Sequence, residues 1–68
     1  MSKESQAFGR NMKRLRMEKG ITQGDISRSL KLARSFISNI ENGKTNPTLA
    51  TIVKIARTLG VPIKDLVK

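Results

Sequence analysis

Five side chains of one short segment have the types and spacing to do chemistry. Arg34, Ser35, Ser38, Asn39 and Asn42 share one side of the stretch 33–42, while Ala33, Phe36, Ile37 and Ile40 share the other. At about 100° per residue the apolar four fall within roughly 100° of arc, as on an amphipathic helix. The opposite side is short, polar and nearly uncharged. A solvated helix face favours Glu and Lys, which are good helix formers, whereas Ser and Asn are poor ones. Reading nucleobase edges would account for them: Arg pairs with guanine, Asn with adenine and Ser with several edges. Taken alone, the face fits base reading and a weakly helical solvated surface equally. Phe36 lies at the margin of the apolar arc, which favours packing over its alternative, contact with a thymine methyl.

Such a face needs a scaffold. Apolar spacing with Gly and Pro punctuation predicts five short helices and no strand. The first runs from about Gln6 to Lys19, with Ser5 as cap, Phe8, Met12 and Leu15 as its stripe, and Gly20 as its stop. A second starts at Thr22, where Thr22 and Asp25 have capping-box spacing, and ends near Leu30 with Ile26 and Leu30 inward. Lys31-Leu32 forms a turn. The third covers Arg34 to Asn42 and stops at Gly43, before a loop through Pro47. Helix four, capped by Thr48 and closed by Gly60, carries Leu49, Ile52, Val53, Ala56 and Leu59. Pro62 opens a fifth with Ile63, Leu66 and Val67. Connections are short and no repeat or linker interrupts them. The expectation is an all-α fold: one compact five-helix domain over 1–68, a helix-turn-helix at about 22–42, and helices four and five at about 48–67 for packing and dimerisation.

Composition narrows the partners. The 68 residues carry 14 Lys and Arg against 5 Asp and Glu, a net charge of +9, which favours polyanions. Arg10, Lys13, Arg14, Arg16, Lys19, Arg28, Lys31, Arg34 and Lys44 surround the predicted helix-turn-helix, against Glu18, Asp25 and Glu41. Without Cys or His there are no disulfides, no Cys/His metal sites and no Cys/His nucleophile pairs. With two Phe and no Trp or Tyr, the composition argues against stacking platforms for single strands, and the core must be aliphatic. No apolar run approaches the roughly 20 residues that span a bilayer, and the first residues lack a signal-peptide stretch. Cationic side chains are not gathered opposite one broad apolar face, which disfavours a membrane binder. The acids are scattered and Ser38 has no evident base, so neither an enzyme nor a cofactor or metal is expected.

The stretch Ile21-Thr22-Gln23-Gly24-Asp25-Ile26-Ser27, together with Phe36-Ile37-Ser38-Asn39-Ile40-Glu41-Asn42-Gly43-Lys44-Thr45-Asn46-Pro47-Thr48, resembles the phage-repressor/Cro-like helix-turn-helix proteins, the XRE family. The likeness continues through Leu49, Ile55-Ala56, Leu59-Gly60-Val61 and Leu66, spanning about Phe8 to Val67. Ala33-Arg34-Ser35-Phe36-Ile37-Ser38 with Asn46-Pro47-Thr48 looks most like the restriction-modification controller subgroup. The resemblance implies a domain of the lambda-repressor-like type that binds double-stranded DNA as a homodimer on a two-fold operator. By the same resemblance, Arg34, Ser35, Ser38 and Asn39 face the bases. Gln23 hydrogen-bonds a phosphate and braces the reading helix. Lys44 and Thr45, with Asn42 beside them, touch backbone phosphates. Arg16 and Glu41 match a salt bridge between helices one and three, with two independent surface charges as the alternative. Two departures matter for the turn. Lys31 stands where many relatives have Gly, at about 1 kcal/mol if its φ is positive. Ala33 stands where relatives have a capping Ser or Thr, at roughly 1 kcal/mol. Ser27 replaces a common Ala at a tight helix–helix contact.

Two copies related by a two-fold axis would set their reading helices about 34 Å apart, one turn of DNA. The expected interface is drawn from Val61, Ile63, Leu66 and Val67, divided between core and contact surface, with Ile63 and Val67 the two taken for the contact. The expected role is a transcriptional regulator: a homodimeric autorepressor or restriction-modification controller reading an inverted repeat through the major groove. The competing role is an antitoxin that also binds its own operator, although no toxin-binding segment is evident. RNA polymerase is a further candidate partner on the strength of Asp25 alone. A cytoplasmic, nucleoid-associated location follows from these expectations.

Overall fold

The structure, a computed structural model, describes residues 2–68. Among them are five helices: α1 (Lys3–Glu18), α2 (Gln23–Leu30), α3 (Arg34–Glu41), α4 (Leu49–Leu59) and α5 (Ile63–Val67). The first begins earlier than its apolar stripe suggests. Ser2, not Ser5, is the cap, accepting the Ser5 amide at 3.1 Å and satisfying one orphan donor of the first turn. Ser5 is instead buried inside the helix, where its hydroxyl donates to Asn46 Oδ1 in the α3–α4 loop. Thr22 and Asp25 form a complete capping box on α2, with reciprocal bonds of 3.0 and 2.9 Å. Thr48 caps α4 through the Thr51 amide.

The core is aliphatic apart from Phe8. Met12, Ile26, Ile37, Ile40, Ile55, Leu59 and Leu66 are its largest fully enclosed side chains. α1 packs against α3 and α5, α2 against α3 and α4, and α4 against α5. In α4 the inward stripe starts one turn later than expected. Ile52, Ile55, Ala56 and Leu59 meet the core, whereas Leu49, the first helical residue after the loop, is 72% exposed. Ala33 also leaves its expected apolar arc. It is the N-cap residue, with extended φ and ψ of −62° and 141°, so helical spacing does not apply to it, and it is exposed.

Of the four apolar residues expected to divide between core and contact surface, two pack on the core. Leu66 is fully buried and Val61 is half-buried against the same cluster. The reason is that α5 folds back onto α1. Asn11 Nδ2 donates to the carbonyls of Leu66 and Lys68 at 3.0 and 3.2 Å, holding the end of the chain down. Ile63 and Val67 remain exposed.

Candidate nucleic-acid interface

The turn before α3 is set by Lys31. Its φ and ψ of 58° and 41° are left-handed, and among the described residues no other non-glycine has a positive φ. The Leu32 amide returns to the Ser27 carbonyl, and the Ser27 hydroxyl donates to the Leu32 carbonyl, so the turn is pinned from both sides. Ala33 supplies no side-chain cap to α3. Both departures noted in the sequence are therefore present as local costs that the rest of the fold carries.

α3 buries Ile37 and Ile40 and presents Arg34, Ser35 and Asn39 to solvent, with Ser38 half-buried. Phe36 is half-buried against the core. At its C-terminal end α3 closes in a Schellman motif. The Lys44 amide bonds the Asn39 carbonyl at 2.9 Å and the Gly43 amide bonds the Ile40 carbonyl at 3.1 Å. Gly43 has φ 73° and lies against the Gln6 backbone, where a Cβ would sit 3.0 Å from the Gln6 Cα. The motif fixes the backbone from which the exposed Lys44 and half-buried Thr45 project. Asn42, also exposed, bonds the Ser38 hydroxyl at 3.4 Å.

Behind this face lies a charged network. Arg16 and Glu41 form a bidentate pair, Nε to Oε2 at 2.7 Å and Nη2 to Oε1 at 3.1 Å, with side chains only 12% and 2% exposed. Arg16 Nη1 also donates to the Ile21 carbonyl at 2.9 Å, just ahead of α2. Gln23 Nε2 donates to Glu41 Oε1 at 2.9 Å. One buried carboxylate on α3 thus receives donors from α1 and α2 and fixes the angle between the three helices. Gln23 is half-buried and held on the side of α3, so its amide is oriented before any ligand arrives. Asp25 is occupied as well. Its carboxyl is held below the usual carboxylate range, first by the Thr22 backbone amide, then by the Thr22 hydroxyl, with Arg28 at 2.6 Å adding to these.

Sequence reasoning missed one residue that matters here. Gly9 lies on the face of α1 that meets α3, and a Cβ there would come within 2.5 Å of the Ile40 carbonyl oxygen and closer still to that of Glu41. The close approach of α1 and α3 depends on it. An isolated glycine inside an apolar helical pattern was the available signal.

Comparison with known proteins places these features in context. The helix-turn-helix family pattern matches residues 12–66. The chain is 39% identical over 59 residues to the uncharacterized HTH-type transcriptional regulator y4dJ of Sinorhizobium fredii, covering 87% of this chain and 77% of that protein. It is 38% identical over 60 residues to the control protein C.MunI of a Mycoplasma species, covering 87% and 81%. The restriction-modification controller protein C.Esp1396I, solved as a tetramer in complex with its natural 35 base-pair operator, superposes with a TM-score of 0.83 at 30% identity, covering both chains in full.

Proposed function

Because this chain belongs to the XRE-type helix-turn-helix family of transcriptional regulators and controller proteins, we propose that it reads an inverted-repeat operator as a homodimer, as an autorepressor or restriction-modification controller. One observation carries the reading: α3 turns Arg34, Ser35 and Asn39 outward while its own Glu41 is locked from behind by Arg16 and Gln23. A polar face of poor helix formers, held rigidly on three helices, suits the hydrogen-bonding edges of the major groove. Arg34, Ser35, Ser38 and Asn39 read bases. Lys44, Thr45, Asn42 and the second amide proton of Gln23 meet phosphates at the margins. The +9 charge supplies the sequence-independent part of the affinity through counterion release.

In this reading residues 1–68 act as one binding domain without catalysis, and the second copy docks on α4 and α5. Leu49, Ile63 and Val67 are the exposed large apolar side chains of that packed pair. RNA polymerase is a further partner in this reading, met through Asp25, whose exposed carboxylate is held in place by Thr22 and Arg28. No helix among the described residues is long and apolar enough to cross a membrane; the site of action is wherever the cell keeps its DNA, the cytoplasm and nucleoid of a prokaryote.

Selection of bound sequences from a random duplex pool, followed by footprinting, tests the proposal. An enriched inverted repeat with half-sites about one helical turn apart is expected. Enrichment of no sequence would overturn it, and co-purification with a toxin would move the role to that of an antitoxin.

A further inference from the structure

A concave surface lies where the end of α2 meets α4, next to the turn that leads into α3. It is a cleft of about 360 Å³ lined by Ser29, Leu30, Lys31, Lys54, Arg57 and Thr58. Leu30 is half-buried on the core and forms its apolar floor. The hydroxyls of Ser29 and Thr58 approach to 3.3 Å across it. Its three cations are exposed, no acid lines it, and none of the three belongs to an ion pair among the described residues. Three like charges around one cleft repel one another, so the arrangement needs a reason. The negative ends of α2 and α4 account for part of it, since Arg57 lies in the last turn of α4 and Lys31 caps α2. Lys54 stands earlier in α4, where the helix-end field has faded.

From these observations we infer that the α2–α4 cleft is an anion site for a phosphate group, held by Lys31, Lys54 and Arg57, with whichever of the paired Ser29 and Thr58 hydroxyls keeps its proton free as a further donor. Cations with Ser or Thr hydroxyls are the usual protein side of phosphate contacts. The cleft's position suggests its use. Lys31 precedes the cap of α3 by two residues, whereas Lys44 follows the helix at its other end. An eight-residue helix is about 12 Å long, comparable to the width of the major groove. Phosphate contacts at both ends of α3 would hold it lengthwise as well as sideways. The DNA source of the phosphate rests on the function proposed above; a free phosphorylated ligand does not.

The test uses the full chain, the variant K54A/R57A, and K3A/K13A as a control that removes equal charge from the exposed side of α1. Circular dichroism verifies folding of each. Inorganic pyrophosphate is titrated at constant ionic strength while the Ser29 and Thr58 amides are followed by NMR. In parallel, affinity for the selected duplex is measured across salt concentrations. Saturable shifts present in the wild type and the control but lost in K54A/R57A establish the site. A fall of about 2 in the slope of log affinity against log salt, confined to K54A/R57A, assigns the phosphate to the DNA backbone. Pyrophosphate shifts with an unchanged slope assign it to a free ligand. Absence of saturable shifts, with slopes that fall equally in both variants, overturns the inference. If the wild type selects no duplex, the pyrophosphate titration decides alone.

Discussion

Single side chains control the exposed face of α3 from behind as much as from in front. Glu41 is the clearest case, because its carboxylate binds Arg16 and Gln23 at once. Glu41→Gln leaves the Arg16 charge without its partner in a site that is only 12% exposed, and a loss of about 3 kcal/mol is expected by urea denaturation. Replacing both partners by apolar residues, Arg16→Met with Glu41→Leu, should recover most of that stability but not the tilt of α3, so specific DNA affinity stays low. Gly9→Ala is the complementary probe. The usual gain of about 1 kcal/mol for alanine inside a helix is reversed by the clash with two carbonyls of α3, for a net loss of about 2 kcal/mol. Asp25 gives a pH signature. Its pKa is lowered in the folded protein, so its contribution to stability is complete above the unfolded value of about 4 and is lost as pH falls through the lowered folded value. Denaturation midpoints across the acid range should show that loss, and Asp25→Asn should abolish the corresponding part of the curve.

At the scale of elements, the ends of α3 differ in quality. Its C-terminus has a full Schellman motif, whereas its N-terminus starts at an uncapped Ala33 after a left-handed Lys31. Ala33→Ser should therefore stabilise the protein by about 1 kcal/mol, read as a raised denaturation midpoint at unchanged slope. Helix starts and stops were legible in the sequence wherever a capping side chain or glycine marks them, as at Thr22, Gly43, Thr48 and Gly60. The start of α1 was not, because Ser2 and Ser5 both have capping chemistry and only the pairing of Ser5 with Asn46, far along the chain, separates their roles. Periodicity likewise placed Leu49 inward, since the stripes 49-52-53-56 and 52-55-56-59 have the same spacing. Which of them faces the core depends on where α2 and α5 lie. The same limit applied to α5, whose return onto α1 through Asn11 takes Leu66 out of any contact surface. The exposed face of α3 was readable because Ser and Asn are costly in a helix interior, and their clustering on one side marks it.

For the molecule as a whole, the proposed function has the packed pair α4 and α5 set how two copies meet, and α3 set what they read. Val67→Asp puts a charge on an exposed apolar position without touching the core. Sedimentation should then show a monomer, with affinity for the inverted repeat reduced toward that of one half-site. The central claim is that Arg34 reads a base while Lys44 holds a phosphate. It is tested by measuring, for Arg34→Ala and Lys44→Ala, affinity for the selected duplex, for its single-base variants and for random DNA. Arg34→Ala should lose about 1–3 kcal/mol on the selected duplex and become indifferent to one base position. Lys44→Ala should weaken every duplex alike and reduce the salt slope by about 1. Identical behaviour of the two variants on selected and random DNA would contradict the account.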